Sequence, residues 1–433
     1  MPKAARCGSG SRPATPFLGL APFLRMSLAG ADLVQIHGDM LARAEHHPDD
    51  LDLWMNLATV MLCLRQRDLG LKIQAYALAK KRVYHLAAAE QPAKLRLLLL
   101  MTPGDLAANT PLDCLLENSD IDVEVYYLSP DKAHGNPWAA PVPEHEVLFV
   151  AIGESGASRG LLRALEQPLA RWPKPVVNAP QRIRAMERAA ASRLLQHAPG
   201  LCVPPTVHAS RADLLAVAAG KAQLRGLFEG CDFPAILRPV GSHAGCDLAK
   251  IDGPGEMAAY LSAIAGTQFF LSRFVDYSGA DGLFRKYRIV LIGGVPFACH
   301  MAVSSNWMVH YANAGMYDDA DKRAEEARFM AHFDDFSGRH RLALEAICRR
   351  AKLDYLCIDC AETRDGRLLV FEIDPAMVVH GMDPEPLFAY KLPHMRKVQS
   401  AFRDFLFGLA GAPIANAAQV GQQTAGAYAG EPV

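Results

Sequence analysis

Apolar residues along this chain follow two spacings, one typical of helices and one typical of buried strands. Between residues 28 and 92 they recur at three- and four-residue steps, which predicts a helical segment. Residues 93–180 instead carry continuous apolar runs of strand length, which predict a small parallel sheet with intervening helices. These runs lie at 94–101, 122–128, 146–153 and 175–178. The first part of the chain is therefore predicted to be helical and then α/β.

Beyond residue 180, three segments each have the pattern of two strands joined by a turn that contains glycine. These segments are 233–251, 286–304 and 353–375. An Asp-Gly pair at 365–366, which is a strong hairpin signal, marks the last turn, and a Gly-Gly pair at 293–294 marks the middle one. A run of mixed charges at 318–335 is most simply a solvated helix. This order of hairpins and helices predicts an α+β architecture for the rest of the chain.

Three carboxylates interrupt the apolar strands of the last hairpin. Glu372 and Asp374 are two residues apart, so both leave the same face of their strand, and Asp359 could join them across the turn. Carboxylates on one face repel one another unless a cation lies among them, and Mg²⁺ prefers such hard oxygen ligands. Alternatively, Arg364 or Arg367 neutralises the cluster, or Asp359 faces water.

Candidate anion-binding groups precede that hairpin. Arg238 ends a strand and is followed by a small, glycine-rich loop whose N–H groups could approach phosphate oxygens. The loop residues that we single out are Gly241, Ser242 and Gly245. Arg288 interrupts an apolar strand and needs a buried anionic partner or a ligand.

Composition narrows the class of partner and the compartment. A formal net charge of −1 over 433 residues gives no sign of a general nucleic-acid binder. Ten cysteines without disulfide-type spacing fit a reducing, cytoplasmic environment. No run reaches the roughly 18 apolar residues that a membrane span needs. Residues 1–27 and 411–433 have the composition of a disordered leader and tail.

The order of these features resembles the ATP-grasp superfamily, with ribosomal-protein glutamate ligases as the nearest type and D-alanine–D-alanine ligases as a more distant one. The resemblance covers roughly residues 94–408. It implies a small α/β domain at 93–180, followed by a two-lobed ATP-grasp domain at 181–410. The matching positions are residues 176–180, Arg188, Arg238, Ser272 to Asp276, Arg288, Asn313, Gly315, Asp359, Glu372 and Asp374.

The resemblance also implies a role for each matching residue. Arg188 and Arg238, with the glycine-rich loop, would hold the phosphates of ATP. Arg288 would contact phosphate and the reacting acyl group as the catalytic residue. Asp359, Glu372 and Asp374 would bind Mg²⁺. The adenine hinge would consist of Ser272, Phe274, Val275 and Asp276.

Such a protein joins a carboxylate to an amine, on a small molecule or a peptide, through an acyl phosphate. Two positions that are usually lysine in the family are Arg188 and Arg238 here, and Asp374 replaces an asparagine. A catalytically silent nucleotide-binding protein, an ATP-dependent phosphotransferase and a carboxylate–thiol ligase therefore remain as alternatives.

The helical segment at 28–92 resembles a single tetratricopeptide repeat. A lone repeat cannot bury its own apolar face. We therefore expect it to pack on the body of the protein or to form a homo-oligomer, with peptide binding as the third alternative.

Overall fold

The computed structural model describes residues 15–129, 137–242 and 245–411. Its α-helices are α1 (Ala21–Leu28), α2 (Leu33–His46), α3 (Leu51–Cys63), α4 (Arg67–Lys80), α5 (Asp113–Leu116), α6 (Arg159–Ala170), α7 (Pro180–Arg184), α8 (Arg188–Leu195), α9 (Arg211–Ala218), α10 (Pro254–Ala263), α11 (Ala320–Ala331), α12 (Phe333–Arg339), α13 (Arg341–Ala351) and α14 (Leu392–Ala410).

Its strands are β1 (Val83–Leu86), β2 (Leu95–Met101), β3 (Ile121–Tyr127), β4 (Val147–Val150), β5 (Val176–Val177), β6 (Leu201–Cys202), β7 (Thr206–Ser210), β8 (Ala235–Pro239), β9 (Ala249–Ile251), β10 (Gln268–Arg273), β11 (Phe284–Ile292), β12 (Val295–Ser304), β13 (Tyr355–Glu362) and β14 (Leu368–Asp374). The predicted mixture of α/β and α+β structure is confirmed.

The first sheet, which we call the N-terminal sheet, has the order β1-β3-β2-β4-β5. Strands β3, β2, β4 and β5 run parallel, as their continuous apolar runs predict, and β1 is added antiparallel at one edge. Helices α3 and α4 pack against each other, and Met55, Ala77 and Leu78 join the core beneath this sheet. The apolar face of the helical segment therefore packs on the body of the protein.

Residues 15–27 correct one prediction, because they are folded rather than part of a disordered leader. Phe17 and Phe23 are buried, and α1 begins at Ala21 with a proline in its first turn, a position that proline tolerates. Asn56 fixes the approach to α1 by accepting a hydrogen bond from the Leu18 amide at 2.8 Å. The rest of the predicted leader, and the tail beyond residue 411, lie outside the described residues.

The second sheet, which we call the small sheet, has the order β7-β10-β8-β9 and is antiparallel throughout. Strands β8 and β9 are the predicted hairpin at 233–251. Helices α9 and α10 pack together, and both contribute to the small sheet's apolar core with Leu214, Val217, Met257 and Leu261. The small sheet therefore forms a lobe with its own core.

The third sheet, which we call the large sheet, has the order β12-β11-β13-β14-β6. It contains both remaining predicted hairpins, β11–β12 and β13–β14. Gly293 and Gly294 turn the first with positive φ angles of 55° and 86°, which an L side chain rarely adopts. The β13–β14 turn likewise has Gly366 at a φ of 78°.

The charged run at 318–335 is helical, as predicted, but it is not solvated throughout. Glu326 on α11 is completely buried and accepts hydrogen bonds from the Met301 amide and the Tyr311 and Tyr390 hydroxyls. This helix is therefore anchored to the large sheet. Across the described ranges, no helix is long and apolar enough to cross a membrane.

Candidate active site

Four side chains form a row across the large sheet. Arg288 on β11 lies opposite His300 on β12 and opposite Asp359 on β13, and Asp359 lies opposite Glu372 on β14. Directly opposed residues share a face, so all four project to the same side. The strand register shifts next to Arg288 and next to Asp359. Such bulges re-aim side chains and are common beside active sites.

Asp359 is neutralised by two cations. The Arg288 guanidinium binds it through two nitrogens, with Nε 2.8 Å from Oδ1 and Nη2 3.0 Å from Oδ2. Lys286 adds a third contact, with Nζ 2.6 Å from Oδ2. Burial opposes ionisation of Asp359, but the two cations outweigh it and hold the carboxyl pKa well below its usual range. Asp359 is therefore a buried, ionised carboxylate.

Glu372 and Asp374 sit in different electrostatic surroundings. Arg188, at the start of α8, forms an ion pair with Glu372 and donates a second hydrogen bond to the Phe371 carbonyl at 3.4 Å. Among the described residues, Asp374 has no cation in ion-pair contact, and it accepts a hydrogen bond from the Ala376 amide at 2.8 Å. Burial and the neighbouring charge of Glu372 raise the pKa of Asp374 to about 7.

The three carboxylates share a face, as predicted, but they are not gathered around one point. Within the described residues, no group of three or more His, Cys, Asp or Glu side chains is arranged to hold a metal ion. Their donor chemistry does fit Mg²⁺, and the raised pKa of Asp374 reflects negative charge that a cation would relieve. The alternative with Arg364 or Arg367 as neutralising partner is wrong, because these side chains bind Ser278 and Asp365 instead.

Arg238 projects from β8 of the small sheet and is 7% exposed. It donates to Ser242 Oγ at 3.0 Å and also bonds the Ser242 carbonyl, but among the described residues it has no carboxylate in salt-bridge contact. Burial and the nearby charge of Arg188 lower its pKa to about 10. A buried guanidinium without a counter-ion is suited to an anionic ligand.

The predicted phosphate loop follows Arg238 directly. Gly241 and Gly245 have positive φ angles of 84° and 72°, which explains glycine at both places. The two residues between Ser242 and Gly245 lie outside the described part of the chain. A side chain at Gly245 would collide with the His310 ring, so this loop of the small sheet reaches the loop that follows β12.

The predicted hinge leaves the small sheet at the end of β10. Ser272 is still paired with β7 and β8, whereas the Phe274 amide donates to the Pro234 carbonyl at 3.1 Å. The Phe274 ring lies edge-on to Trp307 at 5.8 Å, and Val275 packs on the apolar cluster around Tyr277. Asp276 is exposed and lies 3.3 Å from Arg364. The hinge therefore presents an aromatic and aliphatic surface beside the row.

Several further polar side chains have protein partners. Glu154 pairs with Arg159 at 2.6 Å, and His380 accepts a hydrogen bond from the Met382 amide at 3.2 Å. Asp383 pairs at 2.7 Å with the buried Lys391. These contacts favour a structural role for His380 and Asp383.

The sequence analysis did not predict Lys286 as a residue of the site. A signal was present in the alternation Lys286-Tyr287-Arg288, because residues two apart on a strand share a face. Lys286 and Arg288 both reach Asp359, and Tyr287 is buried on the opposite side among Phe329 and Phe336.

Comparison with known proteins gives distant likenesses of fold. No protein-family model and no curated protein matches the chain. Among solved structures, a D-alanine–D-alanine ligase from Coxiella burnetii is 14% identical, with a TM-score of 0.45, over 73% of this chain and 95% of its own. The VanG D-Ala:D-Ser ligase from Enterococcus faecalis is also 14% identical, with a TM-score of 0.43, over 73% and 99%.

A RimK domain ATP-grasp protein from Sphaerobacter thermophilus is 17% identical, with a TM-score of 0.40, over 72% of this chain and 100% of its own. These identities and scores describe similarity of fold at a distance. The activity of this chain therefore has to be argued from its own residues.

Proposed function

We propose that this chain is an ATP- and Mg²⁺-dependent carboxylate–amine ligase that forms an amide or peptide bond through an acyl phosphate. One observation carries the proposal. Three carboxylates of the large sheet share a face and lie close to cations from β11, from α8 and from the small sheet, in a region where buried charge is costly without a functional reason. The carboxylates are Asp359, Glu372 and Asp374, and the cations are Arg188, Arg238, Lys286 and Arg288.

In this proposal the nucleotide lies between the two sheets. The hinge at Ser272, Phe274, Val275 and Asp276 holds the adenine. Arg188, Arg238 and the loop with Gly241, Ser242 and Gly245 hold the phosphates, and Asp359, Glu372 and Asp374 hold Mg²⁺. ATP supplies the phosphoryl group that activates the substrate carboxylate, and Mg²⁺ neutralises phosphate charge.

The chain's own residues contribute position and charge rather than acid–base chemistry. Arg288 lies at the centre of the row, where its guanidinium stabilises negative charge that develops on the acyl oxygen. The bulges on either side fix the direction of Arg288 and Asp359. Fixed donors of this kind lower a barrier because they need no reorganisation during the reaction. We propose carboxylate and amine substrates that are small molecules or peptides.

One observation favours a second candidate, a catalytically silent nucleotide-binding protein. Asp359 and Glu372 already form ion pairs with cationic side chains of the protein. In addition, the two positions that carry phosphate-binding lysines in the family are Arg188 and Arg238 here. Arginine keeps the charge and offers two parallel hydrogen bonds to phosphate, but it is not equivalent to lysine.

Hydroxylamine separates the two candidates, because this small amine traps acyl phosphates from any carboxylate as hydroxamates. The full-length chain is incubated with ATP, Mg²⁺, hydroxylamine and a panel of amino acids, dicarboxylates and short peptides. A ligase gives ADP and a hydroxamate in equal amounts with some carboxylate, and Glu372→Gln abolishes both. Lys81→Met, a change at an ion pair on the helical segment, is the control that leaves both unchanged.

The other outcomes contradict the proposal. ADP with a phosphorylated hydroxyl compound, and without hydroxamate, identifies a phosphotransferase. Hydroxamate with hydroxylamine, but a thioester and no amide when thiols and amines are offered together, identifies a carboxylate–thiol ligase. Nucleotide binding with no ADP for any carboxylate identifies the silent binding protein.

A further inference from the structure

Lys286 lies among the proposed nucleotide-binding residues, although no motif assigns it a role. It sits on β11, two residues before Arg288, and its Nζ is 2.6 Å from Oδ2 of Asp359. Its side chain is 16% exposed, whereas that of Asp359 is 2% exposed. Lysine carries a compact charge with three donors on a flexible stem, so one contact with Asp359 leaves two donors for another anion.

Each charged side chain that the proposed function assigns to Mg²⁺ or to phosphate, apart from Asp374 and Arg238, already has an oppositely charged partner among the described residues. Asp359 is bound by Lys286 and Arg288, and Glu372 is bound by Arg188. A guanidinium or ammonium at hydrogen-bond distance occupies a carboxylate oxygen that a metal ion would need. The same contact occupies donors that phosphate would need. The carboxylates assigned to Mg²⁺ and the cations of the site are therefore counter-ions of each other.

Neither Mg²⁺ alone nor phosphate alone can replace these ion pairs without a large cost in free energy. Mg²⁺ on the carboxylates would displace three cations and leave them beside a metal ion. Phosphate on the cations would leave Asp359 and Glu372 without counter-ions beside an anion. Either result places like charges together at partly buried positions, where their repulsion is strong. A metal ion and a polyphosphate together replace every broken ion pair with a new one.

We propose that Lys286 is a further nucleotide-binding residue, which exchanges partners together with Arg188 and Arg288. In the free protein these cations neutralise Asp359 and Glu372. When a divalent cation takes the carboxylates, the released cations bind the nucleotide phosphates. Metal and nucleotide consequently bind with strong positive coupling. This inference rests on the proposed function, since it concerns the same site.

The coupling is measured by isothermal titration calorimetry on the full-length chain. The probes are MgCl₂ alone, the non-hydrolysable analogue AMP-PNP with EDTA, and AMP-PNP with saturating MgCl₂. For the wild type we expect the nucleotide affinity to rise upon Mg²⁺ addition by about 100-fold, near the upper end of usual coupling between two sites. Titration of MgCl₂ alone should give weak binding or none.

Three variants test the role of Lys286. Lys286→Met should lower the affinity for AMP-PNP with Mg²⁺ by about tenfold, the usual loss for one hydrogen bond to a charged group. The same variant should bind Mg²⁺ alone more tightly than wild type, because Asp359 has lost one of its two cations. Lys286→Arg should restore the nucleotide affinity. Lys81→Met, whose Nζ lies 2.6 Å from an Asp52 carboxylate oxygen, is the matched control and should behave like wild type.

The results that would overturn this inference differ from the result that would overturn the proposed function. Equal AMP-PNP affinity with and without Mg²⁺ in the wild type would overturn the exchange, even if the nucleotide binds well. Unchanged AMP-PNP affinity in Lys286→Met would overturn the assignment of Lys286. If no combination of probes binds to the wild type, the proposed function fails, and this inference fails with it.

Discussion

Asp359 and Glu326 are both buried carboxylates on or beside the large sheet, yet their surroundings differ. Glu326 receives three hydrogen bonds from uncharged groups, the Met301 amide at 3.0 Å and the hydroxyls of Tyr311 and Tyr390 at 2.7 and 2.6 Å, and the buried Lys391 lies 3.7 Å from its carboxylate. These groups come from three separate parts of the chain. Glu326 therefore ties together elements that are distant in sequence.

Asp359 instead receives its contacts from Lys286 and Arg288, whose side chains are 16% and 21% exposed. Both cations come from one strand, β11, which already pairs with the strand of Asp359. The ion pairs therefore add little to the connection between elements. The comparison indicates that a buried carboxylate held by neutral donors and a buried lysine stabilises a fold, whereas a buried carboxylate with partly exposed cationic partners can exchange them for ligands.

Removal of the Glu326 carboxylate should have the largest effect on stability. Glu326→Ala leaves an amide and two tyrosine hydroxyls without their acceptor, so we expect a loss of about 3–5 kcal/mol in the free energy of unfolding. Chemical denaturation measures this loss. Glu326→Gln keeps one oxygen acceptor and should lose less. A loss below about 1 kcal/mol for the alanine variant would contradict a stabilising role.

The pH dependence of stability should reveal a second structural carboxylate, Asp120. Hydrogen bonds from Arg403 on α14, with a further one from Lys94, lower its pKa to about 2. Because the folded pKa lies below the unfolded value of about 3.9, the pair stabilises the protein fully above that value by about 1–3 kcal/mol. This contribution is lost as the pH falls from about 4 towards 2.

This pH dependence is tested by measuring the unfolding free energies of wild type and Asp120→Asn at pH 7, 4 and 3 and comparing their difference. The difference should be constant above pH 5 and shrink at the acidic end. A difference that stays constant down to pH 3 would contradict the assignment of the lowered pKa to the contacts with Arg403 and Lys94.

Asp359→Asn should have the smallest effect on stability and a clear effect on binding. Lys286 and Arg288 are partly exposed and can regain water, so we expect a loss of only about 1–2 kcal/mol in unfolding free energy. Mg²⁺-dependent stabilisation by nucleotide should disappear, as calorimetric scans with and without both ligands would record. If Asp359→Asn destabilised the chain as much as Glu326→Ala and kept nucleotide binding, the distinction between the two carboxylates would be wrong.

Local patterns were sufficient to predict much of the fold. The β13–β14 hairpin follows from two apolar runs around an Asp-Gly turn, and the parallel strands of the N-terminal sheet follow from continuous apolar runs. The leader was mispredicted because composition alone does not show which apolar residues become buried against distant parts of the chain. Burial of Phe17 and Phe23 depends on Asn56 and Asp113, which lie far along the chain.

The site was predictable only in part, for a similar reason. The period of two places Glu372 and Asp374 on one face without knowledge of any partner strand. The pairing of Arg288 with Asp359 spans 71 residues and depends on the register of two strands and on the adjacent bulges. No local pattern encodes that register. The cations that occupy the carboxylates, Lys286 among them, could therefore be identified only from the assembled sheet.

The most direct test of the central claim is a thermal-shift measurement on wild type and Glu372→Gln, with ATP, with MgCl₂ and with both. Ligand at about 100 times its dissociation constant stabilises a folded protein by about 2.7 kcal/mol, which is easily detected. We predict a rise in melting temperature for the wild type only with both ligands, and no rise for Glu372→Gln. A wild type that does not respond, or a variant that responds equally, would contradict a nucleotide site built on this row of charges.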